Sequence, residues 1–361
     1  MNEDTLLYSS MHEVLYLARL PARAANAWSP TPEAPAQRAL SLKANAAGRG
    51  RQREFGIFGF AIAPGGVELA AATTDGRLVL YDIEASKISL SFDAHKDDIN
   101  AVCFAAGMGC GSDVMITGSD DGLLKIFDRR ALSQTAAVLP GHRAGVTSVD
   151  ARGDGVYVCS NGKDQTCRIF DIRRAVPQRD WHAKPLRYSF DYRWSLPNPK
   201  MYLSDEPGDA SVATLRGHAV LRTLIRARWS PYASTSGRFI ASGSACGATV
   251  LWDVSRACGA DSYAPSDKIG LPFSRTESRG PDLVRDVSWH PDGELLVSSC
   301  FSGAAAILAF DEAEGLSQRG FRKALLEKRR TFATAEDDHQ EDDDSEEVGD
   351  DDDDDDEDDD E

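Results

Sequence analysis

No Cys-x-x-Cys pair occurs in the 361 residues, although the chain carries seven cysteines. Cys103, Cys110, Cys159, Cys167, Cys246, Cys258 and Cys300 are scattered and odd in number, which argues against a zinc module or a disulfide framework. Free cysteines inside apolar patterns behave as small buried hydrophobes, and the set fits a reducing compartment, nucleus or cytoplasm. No apolar run approaches the ~18 residues of a membrane helix. A Gly-x-Ser-x-Gly elbow and a Gly-x-x-x-x-Gly-Lys phosphate loop are both missing. His12-Glu13 has no second His to make a metalloprotease pair, and Ser119 to Gly122 is only a fragment of a calcium loop. Glu3 and Asp4 stand where a secretory leader would be positive, so no signal peptide is expected. These absences count against hydrolases, nucleotide triphosphatases, metalloenzymes and membrane proteins. The expectation is a non-enzymatic chain with no metal, no cofactor, no membrane and no direct nucleic-acid contact.

Charge is present but unevenly placed. The formal net charge is −18, and residues 337–361 hold 20 acidic side chains with no Lys or Arg. The rest of the chain balances 38 acids against 40 Lys and Arg, so its body is near neutral. An acidic run of this kind repels itself and buries no apolar surface, so disorder is expected over 337–361. Basic proteins, histones among them, are the partners that such a tail suits. Just before it, 312–336 contains a basic stretch, Arg319 to Arg330, interleaved with Phe321, Leu325 and Leu326. That spacing predicts a short amphipathic helix, with a nuclear import signal as the alternative.

The dominant feature is internal repetition. Four segments end in an aromatic–Asp pair: Leu78-Val-Leu-Tyr-Asp82, Leu124-Lys-Ile-Phe-Asp128, Cys167-Arg-Ile-Phe-Asp171 and Thr249-Val-Leu-Trp-Asp253. Each is preceded by another strand pattern and a tight turn, at Thr74-Asp75-Gly76, Asp120-Asp121-Gly122, Lys163-Asp164-Gln165 and Ala245-Cys246-Gly247. Further upstream lie Ala94-His95, Gly141-His142 and Gly217-His218. The spacing of Asp82, Asp128 and Asp171 fits the ~40–45 residues of one propeller blade. Alternating strands present one face to each neighbouring blade, and Asp-Gly supplies the positive φ angles of a hairpin turn. In such repeats the His bonds the turn Asp, and a Ser/Thr and the strand aromatic complete a buried tetrad. Here those sets read His95, Asp121 and Phe127; then His142, Ser160, Asp164 and Phe170; then His218 and Trp252. A buried polar group left unpaired costs ~1–3 kcal/mol, so these residues are read as structural and not as a catalytic dyad.

The fold expected is an all-β WD-repeat propeller with about five complete blades and a partial N-terminal one, a truncated seven-blade ring being the alternative. The blades fall near 55–83, 92–130, 139–174, 214–256 and 282–311, with an insertion over 175–213 read as an ordered surface loop. Residues 1–20 give the second and third strands of a blade without its first, and 21–54 read as a loop. In the last blade Ser302 replaces the turn Asp, and Leu308 stands where Trp is usual.

Several segments then narrow the identity. His95-Lys-Asp-Asp-Ile-Asn-Ala-Val102, Ser160-Asn-Gly-Lys-Asp-Gln-Thr166, Ile169-Phe-Asp-Ile-Arg-Arg174, Asp191-Tyr-Arg-Trp194, Arg216-Gly-His-Ala-Val-Leu-Arg-Thr-Leu-Ile-Arg226 and Val284-Arg-Asp-Val-Ser-Trp-His-Pro291 are uncommon among WD repeats at large. With them the chain, from roughly Leu6 to Phe310, resembles the WD repeat-containing protein twenty-three family and its plant relatives. The family's earliest repeats have no counterpart here, and the acidic tail is not something that the resemblance assigns.

The resemblance implies a substrate receptor of a cullin-4 ubiquitin ligase, which presents target proteins for ubiquitination and proteasomal degradation. It implies docking on the adaptor, damage-specific DNA-binding protein one, through aromatic–Asp–x–Arg boxes. The candidates are Phe127, Asp128 and Arg130, and Phe170, Asp171 and Arg173. An Arg just past a strand end offers a planar five-donor fork to a partner. Substrate would be read on the opposite end of the strands, where Asn100, Thr147 and Arg285 occupy equivalent positions and Arg226 lies one residue further along. A general scaffold or histone-binding protein working through its acidic tail is the alternative.

Overall fold

Alternation and turn chemistry together specify hairpins, and the computed structural model is built from them throughout. It describes residues 5–9, 11–19, 37–43, 55–105, 107, 113–131, 135–182, 191–195, 208–256, 267–270, 282–310 and 321–324. Six antiparallel sheets follow one another along the chain. The first is Thr5–Ser9, Val14–Arg19 and Gln37–Ser41. The second is Ile57–Ile62, Glu68–Thr73, Arg77–Asp82 and Lys87–Asp93. The third is Ile99–Phe104, Val114–Ser119, Leu124–Asp128 and Ala137–Leu139. Val146–Ala151, Tyr157–Gly162, Cys167–Asp171 and Ser211–Leu215 make the fourth. Ala227–Trp229, Phe239–Ser242, Ala248–Asp253 and Asp267–Gly270 make the fifth. Val284–Trp289, Leu295–Cys300, Ala305–Phe310 and Phe321–Ala324 make the sixth. The hairpin turns take the positive φ that the sequence supplies, 77° at Gly76 and 80° at Gly122. A Cβ on Gly76 would meet the His95 carbonyl oxygen at 2.6 Å.

Each sequence repeat is offset from its sheet by one strand. The strand that precedes a His closes the sheet before it, as Lys87–Asp93 does by pairing with Arg77–Asp82. A chain threaded this way ties each sheet to the next. Apolar clusters fill the spaces between neighbours. Ala70, Ala72, Leu78 and Leu80 of the second sheet meet Ile99, Val102, Phe104, Met115 and Phe127 of the third. Comparable clusters join the first sheet to the second, third to fourth, fourth to fifth and fifth to sixth. Trp252, Phe127 and Phe170 are the largest fully buried side chains, and burying each contributes about 1.5–3 kcal/mol. The described cysteines are free, and Cys103, Cys159 and Cys167 lie buried between sheets.

Several boundaries differ from the sequence reading. Residues 21–54 are not all loop, because Gln37–Ser41 pairs with Val14–Arg19 and makes the first sheet three-stranded. The insertion gives up both ends to sheets: Val176–Pro177 adds a fifth strand beside Ala137–Leu139, and Ser211–Leu215 closes the fourth sheet. The fifth and sixth sheets take their last strands from beyond 256 and 311. Within 312–336, Phe321–Ala324 is a strand against Ala305–Phe310 and not helix, since an open sheet edge offers backbone partners that a short helix lacks. The rest of that stretch, and the tail 337–361, lie outside the described residues.

Candidate functional site

The strands have two ends, and each carries a distinct set of side chains. The hairpin turns Asp120–Gly122 and Lys163–Gln165 stand at one end. The aromatic–Asp pairs at Asp128 and Asp171 stand at the other.

At the turn end, two buried networks hold the sheets. His95 donates from Nδ1 to Asp121 Oδ2 (2.9 Å), and its Nε2 faces Thr117 Oγ1 at 2.7 Å. His142 Nδ1 lies 3.0 Å from Asp164 Oδ2, and its Nε2 lies 2.7 Å from Ser160 Oγ. Asp164 also accepts from the Arg143 amide (3.0 Å) and from the Thr166 hydroxyl (2.7 Å). Burial acts to raise the Asp164 carboxyl, but His142 and Arg168 outweigh it and hold it well below the usual range. Burial pushes the His95 ring down, so it is neutral at pH 7. Both imidazole side chains have no exposed surface, so no substrate reaches them. Phe127 and Phe170 carry no side-chain N–H and so add nothing to these networks, and Thr117 Oγ1 donates onward to the Lys125 carbonyl (3.5 Å).

The third expected set is built differently. His218 Nε2 lies 2.6 Å from Asn161 Oδ1 of the neighbouring sheet, and Trp252 Nε1 donates to the Arg216 carbonyl (3.0 Å). The two rings meet edge to face, with centroids 5.1 Å apart. Cys246 occupies the turn position of the missing Asp, so the bond crosses between sheets. In the last sheet Ser302, in the same position, bonds Asp282.

The expected substrate face is partly corrected. Asn100 and Thr147 are buried, not exposed. Asn100 Nδ2 donates to Asp120 Oδ1 (2.6 Å) and to the Val146 carbonyl (2.7 Å), and Thr147 Oγ1 to the Ile225 carbonyl (2.8 Å). Both therefore clasp adjacent first strands. Arg226 is also spoken for, bonding Asp286 (3.1 Å) and reaching across to the Phe58 carbonyl (3.0 Å). Arg285 alone of the four is exposed. Asn100, Thr147 and Arg285 each fall at a register shift in their first strand, as does Phe58 in the second sheet. A bulge re-aims its side chain, which is why these positions point toward neighbours and not simply outward.

Above them lies a cavity of about 540 Å3 whose lining includes Phe58, Asp98, Tyr192, Arg222, Leu224 and Arg285. Burial, with Asp120 and Asp97 nearby, pushes the Asp98 carboxyl up to about 6. Tyr192 sits over this mouth, with Lys163 4.2 Å from its ring centre, and its carbonyl accepts from the Arg222 amide (2.9 Å). Trp194 beside it is 86% exposed.

At the other end the two boxes are near copies. Arg130 donates to Asp128 from its amide (2.9 Å), Nε (3.0 Å) and Nη2 (2.8 Å). Arg173 does the same to Asp171, at 3.0, 2.9 and 2.7 Å. A turn of 3-10 helix follows each strand, over Arg129–Ala131 and Ile172–Arg174. The forks use part of each guanidinium, and the Arg side chains remain 72% and 66% exposed. The Arg130 hydrogen bonds pull the Asp128 carboxyl down to about 2. In the fifth sheet Asp253 is held by Arg238, just before the adjacent strand, at 2.6 Å, and not by an Arg two residues on.

Asp191-Tyr192-Arg193 repeats this geometry on the cavity side: Arg193 grips Asp191 through its amide (3.0 Å), Nε (2.8 Å) and Nη2 (2.8 Å). Phe190 precedes it in sequence, so a third aromatic–Asp–x–Arg string was legible and went unread. No group of three or more His, Cys, Asp or Glu among the described residues could hold a metal ion. No described helix is long and apolar enough to cross a membrane.

The WD domain, G-beta repeat family matches residues 86–128, 133–171 and 274–306. The chain carries WD repeats over these segments. One chain of the crystal structure of Mitotic Checkpoint Complex superposes on it with a TM-score of 0.56 at 14% identity, covering 89% of this chain and 73% of that one. That likeness speaks for the fold alone. The WD-repeat chain is 40% identical over 261 residues to the LEC14B homolog of Prunus armeniaca, spanning 71% of this chain and 51% of the relative. It is 38% identical to the LEC14B protein of Lithospermum erythrorhizon, over 69% and 50% of the two chains. It is 35% identical to the DDB1- and CUL4-associated factor 11 homolog of Caenorhabditis briggsae, over 73% and 46%. The chain thus spans about half the length of the curated relatives it matches. The resemblance read from the sequence, to a family with plant members and members named as CUL4-associated, is borne out by these matches.

Proposed function

We propose that this WD-repeat protein is a non-catalytic substrate receptor of a cullin-4 ubiquitin ligase. It docks on the adaptor DDB1 through Arg130 and Arg173 and presents target proteins at the opposite, cavity-bearing end for ubiquitination. The observation that carries the reading is the pair of matched Asp–Arg forks on neighbouring sheets, each exposed and preset by its own carboxylate. A fork held rigid loses little side-chain freedom on binding, which favours its use as an anchor. The DDB1 and CUL4 in the names of the nematode relatives support the same assignment. Work in the nucleus or cytoplasm, with degradation of the bound target as the outcome, belongs to this proposal.

The test is co-purification of DDB1 with the chain and with the Arg130→Ala/Arg173→Ala double variant. Capture by the wild type and its loss in a variant of unchanged melting temperature support the docking surface. Equal capture by both removes these residues from the role. A folded wild type that never captures DDB1 refutes the receptor reading and leaves a scaffold acting through the acidic tail.

A further inference from the structure

The cavity at the turn end, about 540 Å3, falls within the ~300–1,000 Å3 of ligand clefts. Its charges are sorted by sheet. Asp98 and Asp120 come from the third sheet and the loop leading into it, and Asp97 of that loop and Asp75 of the second-sheet turn act on Asp98. The cations come from further along the chain. Arg193 belongs to the insertion, Arg222 to the segment leading into the fifth sheet, and Arg285 to the first strand of the sixth. Lys163 of the fourth sheet stands at the seam and bonds Asp120 at 2.7 Å.

Pairing removes most of these charges. Asp120 is taken by Lys163 and Asn100, and Arg193 by Asp191 at 2.8 Å. Three remain. Arg222 and Arg285 are exposed, Asp98 is half-buried, and their side chains make no hydrogen bond or ion pair among the described residues. Burial, then the like charges of Asp120, Asp97 and Asp75, raise the Asp98 carboxyl to about 6, with Lys163 in opposition. A cation brought there would relieve it. Phe58, Leu224 and Tyr192 supply apolar lining to the same cavity. The Tyr192 carbonyl accepts from the Arg222 amide (2.9 Å), and Arg285 is among the charges that act on its hydroxyl.

We propose that this mouth binds an extended segment of the target protein that carries both signs of charge: an acidic side chain for Arg222 and Arg285, a basic one for Asp98, and an apolar one against Phe58 and Leu224. The inference rests on the receptor reading for calling the guest a target. Unpartnered guanidiniums gain charge-assisted bonds from a carboxylate, and the Asp98 carboxylate gains one from Lys or Arg. The sorted charges reject simpler guests. A purely acidic segment meets Asp97 and Asp98, and a purely basic one meets Arg222 and Arg285. A nucleic-acid strand, anionic along its whole length, fails for the same reason as the acidic segment.

The test pans multivalently displayed random peptides of about ten residues on the immobilised full chain. Recovered peptides are resynthesised and measured by fluorescence polarisation. Expected are sequences that share one acidic, one basic and one large apolar position. Arg222→Ala/Arg285→Ala should weaken their binding by about tenfold or more, and Asp98→Asn by about fivefold, with no loss of melting temperature and with DDB1 capture unchanged. Panning on Arg222→Glu/Arg285→Glu should exchange the acidic position for a basic one, a readout that a merely structural role would not move. Recovered peptides without a shared charge requirement overturn the proposal, as do a requirement for one sign alone and equal affinity for the variants. If the chain captures DDB1 yet recovers no peptide, this inference falls and the receptor reading stands. If it binds the doubly charged peptides yet never captures DDB1, the receptor reading falls and the site stands.

Discussion

Replacing Asp164 by Ala tests the reading of the turn-end networks as structural, because the carboxylate is 1% exposed and satisfies four groups at once. Its removal takes the acceptor from His142 Nδ1, the Arg143 amide, and the Thr166 amide and hydroxyl, while Arg168 keeps Asp209. Each orphaned buried group costs about 1–3 kcal/mol, though not additively. Breaking a buried charged pair by removing one partner costs about 3–5 kcal/mol, and that is the loss expected here. Asp121 is the internal control. Its side chain is more exposed, and it serves His95 at 2.9 Å and two amides at 3.1 and 3.4 Å. Asp121→Ala should cost about 1–3 kcal/mol. The assay is urea unfolding followed by Trp fluorescence at constant slope. The pH dependence gives a second handle. A depressed carboxyl adds stability that is present above its unfolded pKa and is lost as pH falls through the folded one. Wild type should therefore lose stability below about pH 4, and Asp164→Ala should lack that component. An Asp164→Ala loss smaller than that of Asp121→Ala would refute the reasoning.

Other outcomes follow from the same contacts. Asn100→Ala should destabilise by about 1–3 kcal/mol through loss of its bonds to the Val146 carbonyl and Asp120 Oδ1, where an exposed recognition residue would leave the unfolding midpoint unmoved. Gln165 holds φ 64° and bonds Val220 twice, at 2.8 and 2.9 Å. Gln165→Gly relieves the backbone yet should still destabilise by roughly 1 kcal/mol by chemical denaturation; a stabilised variant would show that the Val220 clasp contributes nothing. Asp98, raised to about 6, favours the folded state most when protonated, below its unfolded pKa, and loses that contribution as pH rises through about 6. Asp98→Asn should abolish this titration and leave the protein modestly more stable at pH 7.5 by thermal unfolding, the effect being small because the group is partly solvated.

Sequence periodicity alone determined the strands, the hairpin turns and the His–Asp–Ser/Thr networks. Those features rest on contacts between residues at fixed short offsets, such as the 22 residues from His142 to Asp164. The Asp–Arg forks were legible for the same reason, each closing over two residues. Tertiary structure decided what depends on a neighbour. Asn100 and Thr147 read as exposed polar residues until adjacent first strands closed over them at the bulges. Cys246 and His218 read as a degraded tetrad until Asn161 arrived from the next sheet. Phe321–Ala324 carries a helical-looking pattern, but a vacant edge on Ala305–Phe310 makes it a strand. The cavity lined by Phe58, Asp98, Tyr192 and Arg285 was not legible at all, because it forms only when several sheets converge and no single repeat encloses a volume.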